Sequence, residues 1–444
     1  MRNWLPRLKE LRRYPSLAAG LAIIGLLVII SIYAVIALPY SEAVRLWNPG
    51  ARGIFEDNPR NAQPAWVDRF TSDRLPRTII LTLDHGTMTT QPIGDGMNQV
   101  AIVLPFRYDY DGFPSELTLR TNLTGVDDRV FISIYWESPA AEPRTLQESR
   151  RIGMTDSYRI TQDKVLQAQL GMIPHRGLFA HPEDRTSEMK GDYRLTIQAE
   201  LPEGAQIEPT LIVYGQVYGL AGTDHLRRDL IVALLWGAPI GLLFGVLAAV
   251  GAQLSTFVLG AIGTWFGGKV DNLFQRLTEL TMILPLLPIL IVVGHFYSRS
   301  IWVMLGLVIA LNVFSASIKT YRAMFLQAKE ASYIEAAQAY GAGNWRIILR
   351  YLMPRLAPIL LPQFVLAVPS FVFLEASLAV LGLGDPVLPT WGKIIQDARV
   401  GDALYKGYYY WMLQPAVMLM LTGLGFALVG YTLDRIFNPR LRTV

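Results

Sequence analysis

The sequence predicts an all-α polytopic membrane protein of six transmembrane helices, interrupted by an inserted β-sandwich-like domain outside the membrane. Three observations carry this expectation. Apolar runs close to the ~20 residues that cross a bilayer as helix recur at 16–38 and at about 238–266, 280–296, 301–318, 356–382 and 411–433. Charged residues make up only 17% of the 444, against about 25% in a typical soluble chain. Between the first two runs, continuous apolarity gives way to alternation. The expected organisation is therefore an N-terminus with the first span (1–40), an extracytoplasmic β-rich insertion (41–225) and a core holding spans two to six (226–444).

The N-terminus carries Arg2, Arg7, Lys9, Arg12 and Arg13 ahead of the run Ser16 to Leu38. That run exceeds the 7–15 residues of a signal-peptide core and no small-residue cleavage site follows it, so it reads as an uncleaved span. In the insertion, TIILTLD (78–84), ELTLRTNL (116–123), RVFISIYW (129–136), DYRLTIQAEL (192–201) and PTLIVYGQVYG (209–219) alternate with period two between turn residues. Five to eight such strands suggest a sandwich.

Positive charges set the expected orientation. Lys319, Arg322, Lys329, Arg346, Arg350 and Arg355 lie between spans four and five, and Arg435, Arg440 and Arg442 follow span six. The loops after spans three and five show no such excess. Both termini and the 319–355 loop are then cytoplasmic, in the multi-pass pattern of a prokaryotic cell (inner) membrane protein. The aromatic cluster Tyr405 to Trp411 reads as an interfacial belt at the outer edge of span six.

Several chemistries are excluded or poorly supported. Without cysteine there is no disulfide, thiolate metal site or cysteine nucleophile. No basic stripe interleaved with aromatics points to nucleic acid. Gly263, Gly268 and Lys269 match phosphate-loop spacing, but Val270 stands where a hydroxyl must reach Mg²⁺ and the stretch ends a span. A glycine-rich exit from span two explains it better. The histidines form no helical metal pair; His175 and His181 read as isolated surface residues, although a shared loop metal is the sharper alternative. No G-x-S-x-G elbow is present. The chain reads as no enzyme, with no metal and no cofactor of its own.

The loop 332–354, SYIEAAQAYGAGNWRIILRYLMP, is the most informative stretch. Ser332 and Glu335 have capping-box spacing, predicting a short helix from Tyr333 to Tyr340 that stops at a left-handed Gly341. Asn344 is placed to cap a second helix with an apolar stripe of Trp345, Ile348, Leu349, Leu352 and Met353, closed by Pro354. An amphipathic connector lying on the membrane accounts for the second helix. It does not account for the first, where Ala336, Ala337 and Ala339 form a smooth surface beside Glu335 and suggest docking of another protein.

Glu335-Ala336-Ala337-x3-Gly341 followed by Pro354 resembles the EAA loop of ABC transporter permeases that work with a substrate-binding protein. GTDHLRRD (222–229) resembles the GTDxxGRD motif of dipeptide, oligopeptide and nickel permeases. EASLAVLGLGDPVLPTWGKIIQDAR (375–399) and the tail DRIFNPRLR are similar to the same class. The resemblance covers 222–444 closely and the first span loosely. It implies the type I importer permease fold, a coupling loop at about 321–355, and an ATPase-coupling surface of Glu335, Ala336, Ala337, Gly341 and Pro354. It also implies a second homologous permease subunit, two ABC ATPase subunits holding ATP-Mg, an extracytoplasmic substrate-binding protein and surrounding lipid as partners. The cargo would be peptides or a related solute.

Asn312, Gln363 and Glu375 are polar groups inside apolar runs, where a charge costs about 2.5–3.5 kcal/mol on insertion scales. They are the candidates for the translocation path, with a local hydrogen bond to the GLGD turn as the competing reading for Glu375. Against the family pattern, Arg227 stands where glycine is usual, Tyr351 and Met353 replace common aliphatics, and the β-rich insertion fills a normally short loop. The rival functions are a membrane-anchored extracytoplasmic ligand-binding or sensor protein, and a secondary transporter. The first would need a cytoplasmic signalling domain and the second paired internal repeats; neither is evident.

Overall fold

The computed structural model describes residues 14–48, 54–125, 129–139 and 141–437. The basic residues expected to orient the first span, and Arg440 and Arg442, lie outside them. The chain divides into two compact units, Met1–Asn48 with Val232–Val444, and Pro49–Ile231.

The helical unit begins with α1 (Pro15–Ala37), where proline's fixed φ suits the first turn. Of its 23 residues only Gly20, Leu27 and Ala34 are buried, one every seventh position, so it packs through a narrow seam. A Cβ at Gly20 would come within 2.8 Å of the Gly425 carbonyl, which shows how closely the backbones approach. The short α2 (Tyr40–Trp47) buries Ala43 and Trp47 on one face.

The second unit is a two-sheet antiparallel sandwich. Its strands are β1 (Ile79–Leu81), β2 (Thr87–Gly94), β3 (Met97–Tyr108), β4 (Glu116–Thr124), β5 (Val130–Ser138), β6 (Ala141–Ile152), β7 (Thr155–Tyr158), β8 (Gly191–Pro202) and β9 (Gln206–Tyr214). One sheet has the order β1-β9-β4-β7 and the other β2-β3-β8-β5-β6. Buried and less buried residues alternate along β3, β5 and β8, and both sheets contribute to one apolar core. Its aromatic centre includes Phe179, whose ring centroid lies 4.6 Å from those of Tyr108 and Tyr193. The two phenols donate to the carbonyls of Gly112 and Met189, each at 2.6 Å, so their polar ends are satisfied inside the core. Burial pushes both phenol pKa values well above the ordinary range.

Two helices, α3 (Lys164–Leu170) and α4 (Pro174–Gly177), lie between β7 and β8. Asp163 caps α3 by accepting from the amides of Val165 and Leu166 at 2.9 and 3.0 Å. Partial burial opposes its charge, yet hydrogen bonds from Tyr158, Gln147 and these amides hold its carboxyl below the usual range. His175, expected on the surface, is instead half-buried in α4, and burial beside Arg176 depresses its imidazole to about 4.

The GTDHLRRD segment belongs to this second unit. The Asp224 carboxylate is buried and accepts from the amides of Leu226 and Arg228, both at 2.8 Å, and from the Arg228 guanidinium at 2.6 Å. Arg227 has φ +67°, the left-handed region where glycine is at ease. Its guanidinium donates to the Asn58 carbonyl, pairs with Glu116 and stacks 4.1 Å from the Tyr214 ring centroid. The turn that glycine would permit is thus retained by an arginine with three partners.

The remaining helices are α5 (Leu230–Phe266), α6 (Gly268–Ile283), α7 (Leu286–Phe296), α8 (Ile301–Asn312), α9 (Ser317–Lys329), α10 (Ser332–Ala339), α11 (Asn344–Leu383), α12 (Trp391–Val400) and α13 (Tyr409–Phe437). Among the described residues, four helices are long and apolar enough to cross a membrane: α1, α5, α11 and α13. The pairs α6–α7 and α8–α9 bring the number to six only if each bent pair is one span; they bend by 75° and 47°. The runs expected at 280–296 and 301–318 are therefore broken helices rather than straight ones. Pro285 explains the first break, because it lacks an amide donor and disfavours helix at Leu284.

Close approach also shapes this unit. A Cβ on Gly237 would lie 2.2 Å from the Trp391 ring, whose Nε1 donates to the Leu234 carbonyl at 2.9 Å. Trp411, expected in an interfacial belt, is instead 1% exposed and lies against Gly401. Tyr405 and Tyr409, 96% and 58% exposed, are aromatic members of that cluster that do lie on the surface.

Candidate functional site

The short helix α10 is held by two inward side chains, Ile334 and Ala337. They join a core formed with Phe257 and Trp265 of α5, Tyr321 and Phe325 of α9, and Ile347, Ile348 and Leu352 of α11. Two polar ties brace this seat. Arg322 of α9 grips Asp271 of α6 with Nε at 2.8 Å and Nη2 at 2.6 Å. Lys329 donates to the carbonyls of Thr264 and Trp265 at 3.2 and 3.1 Å, where a cation suits the negative end of α5. Sequence reading used Arg322 and Lys329 only as indicators of orientation. Arginine and lysine near helix ends were the available signal, but their partners lie 51 to 65 residues away.

The outer face of α10 carries Tyr333, Glu335, Ala336, Gln338 and Ala339, all exposed. Glu335 has no ion-pair partner among the described residues. Gly341 closes the helix at φ +77°. Its amide donates to Gln338 O at 2.9 Å and that of Ala342 to Ala337 O at 3.0 Å, the paired bonds of a Schellman ending. A glycine is favoured there by its backbone angle, and no atom crowds the position where a Cβ would lie. The result is a carboxylate-bearing knob with its far side anchored.

Several details differ from expectation. Ser332 is the first helical residue, and the cap position falls on Ala331 with no side-chain hydrogen bond, so the Ser332–Glu335 capping box does not form. Gly343, not Asn344, precedes α11. Ala337 points into the core rather than onto the docking face. Of the expected apolar stripe, Ile348 and Leu352 are buried, while Trp345 and Leu349 are each 57% exposed. Pro354 does not close a second short helix, because α11 runs on to Leu383. A π-helical turn at Ile348–Leu352 immediately precedes it, and that wider winding accommodates a residue without an amide donor.

The three path candidates are spread out. Asn312 lines a cavity of about 150 Å³ at the breaks of α6–α7 and α8–α9. Gln363 is exposed on α11 and does not line it. Glu375 is 7% exposed and lies beside Thr390, beyond the GLGD turn; along one helix it lies about 18 Å from Gln363.

A knob of this form beside broken apolar helices suits transmission of force more than catalysis. Comparison with known proteins places the chain among transport components. The family model for the binding-protein-dependent transport system inner membrane component matches residues 241–443. The oligopeptide transport system permease protein OppC of Bacillus subtilis is 32% identical over 225 residues, covering 50% of this chain and 72% of the relative. The chain belongs to the peptide-type ABC permeases. This permease is also 30% identical over 224 residues to the dipeptide permease DppC of B. subtilis, covering 50% of this chain and 68% of that one. The peptidoglycan transport system permease protein YejE of Agrobacterium fabrum is 31% identical over 179 residues, 40% of this chain and 47% of the relative. As a permease it is a transport subunit of an ABC importer, embedded in the inner membrane, and the sensor reading is not favoured.

Proposed function

We propose that this permease forms half of a six-plus-six-span path for peptides and that α10 couples it to ATP hydrolysis on two separate ATPase subunits. The observation that carries the coupling is the exposed face of α10, with Glu335 and Ala336 outward, Gly341 at its end and Ile334 and Ala337 fixed to α5, α9 and α11. A push on that face reaches three helices through packed side chains. Glu335 is available to meet a basic residue of the ATPase. Each bent helix pair counts as one span, both termini and α10 face the cytoplasm, and the sandwich lies outside, near an extracytoplasmic substrate-binding protein. ATP-Mg belongs to the ATPase partners, and a second homologous permease completes the path.

The test is purification of the complex in mild detergent with wild type and Gly341→Asp. At φ +77° a larger side chain strains the helix ending, and the added carboxylate alters the docking face. Two ATPases and a second permease are expected with wild type, and loss of the ATPases from the variant. A wild-type protein that brings no ATPase would overturn the coupling reading.

A further inference from the structure

The breaks of α6–α7 and α8–α9 lie side by side. Thr281 Oγ1 donates to the Phe314 carbonyl, and the Phe274 and Phe314 rings are 5.9 Å apart. Both breaks open on the same cavity of about 150 Å³, whose lining includes Thr281, Leu284, Asn312 and Ser315 among apolar residues such as Met282 and Leu311. A cavity of this size can admit a group as large as benzene.

The chemistry of the lining is biased. In an α-helix the carbonyl of residue i accepts from the amide of i+4. For Thr281 and Leu284 those positions are Pro285 and Pro288, which have no amide hydrogen. The Thr281 carbonyl thus lacks its helical donor, and the carbonyl of Leu284, extended at ψ 122° between the two helices, is outside helical hydrogen bonding. Asn312 uses Nδ2 to donate to Val308 O at 2.8 Å, which leaves its Oδ1 as a third acceptor. The Ser315 hydroxyl has no hydrogen-bond partner among the described residues. Irregular backbone in an apolar setting is tolerated where it is buried in protein or lines a wet cavity, and broken helices are where transporters build contacts to their cargo.

We infer that this paired break is a cargo contact in the path, reading the main-chain N–H groups of an extended peptide through the Thr281 and Leu284 carbonyls and Asn312 Oδ1, with Ser315 bonding a peptide carbonyl. Such contacts are independent of side-chain identity, as a path for varied peptides requires. The inference rests on the peptide-path reading above. It separates Asn312 from Gln363 and Glu375, which do not line this cavity.

The experiment uses the complete complex, with both permeases, ATPases and binding protein, in proteoliposomes. Alanyl-photoleucyl-alanine is photolysed during turnover and its adducts are mapped by mass spectrometry. Uptake of radiolabelled trialanine is measured for wild type and for Asn312→Leu/Ser315→Ala. Adducts at 281–289 and 311–316 are expected, with at least a tenfold fall in uptake by the double variant while its ATPases still co-purify and hydrolyse ATP. Adducts confined elsewhere, or uptake by the assembled variant within twofold of wild type, would overturn the inference and leave coupling through α10 intact. A wild-type complex that hydrolyses ATP but moves no trialanine would remove the peptide-path reading, and this inference with it.

Discussion

The sandwich and the helical unit use apolar residues in opposite ways. In the sandwich, Ile102, Leu104, Ile134, Leu195 and Ile197 are all 2% exposed or less, and on β8 the outward positions Asp192, Arg194, Thr196, Gln198 and Glu200 are all polar. In the helical unit, Ile36, Ile283 and Phe296 are 76–81% exposed, and helices approach closely at glycines such as Gly20 against Gly425 and Gly237 against Trp391. The first pattern answers to water, which drives large side chains together. The second answers to a solvent as apolar as leucine, where association depends on close contact between small residues. One chain has therefore been fitted to two solvents.

Substitutions can break this comparison. Trp136→Ala should cost the sandwich about 3–5 kcal/mol, the usual range for emptying a large buried aromatic site; hydrogen exchange of β3, β5 and β8 in the full chain would show it, and a loss below ~1 kcal/mol would mean that the core is not the main support. Gly237→Val should cost the helical unit about 1–3 kcal/mol or more through overpacking against Trp391. It would appear as a lower melting temperature in detergent with sandwich exchange unchanged.

Asp163→Ala should cost about 1 kcal/mol by removing the α3 cap, read as faster exchange at Val165 and Leu166. Replacing Ile36 with Ser, at an exposed apolar site, should leave detergent stability within about 0.5 kcal/mol, and a larger loss would mean that α1 packs through more than its seam. His175 offers a pH test. Its depressed folded-state pKa means that the unfolded chain binds the extra proton. Sandwich stability should therefore fall as pH drops from about 6.5 toward 4, and His175→Gln should flatten that slope in urea titrations followed by tryptophan fluorescence.

The legible parts of the fold were those with an unambiguous period. β5 and β8 each bury alternate residues and could be located from sequence. β2, exposed along its whole length, and β6, rich in charge, are sheet edges with little hydrophobic alternation to find. The left-handed Gly341 was legible because a helix ending constrains a single residue. The inward turn of Ala337 was not, since alanine suits either face until the neighbours are known. The break of α6–α7 was written in Pro285 and Pro288, yet their meaning depended on α8–α9 breaking beside them.

Arg227 ties the history of the insertion to that of the motif it borders. A glycine there would relieve a backbone strain of about 1–2 kcal/mol. It would also strip Glu116 of its 2.5 Å partner, leaving only Arg60 at 3.7 Å, and remove the cation from the Tyr214 ring. Deleting the sandwich while keeping the arginine would leave a strained residue with nothing to hold. Neither change is favourable alone, so a lineage that acquired both would find them difficult to lose separately.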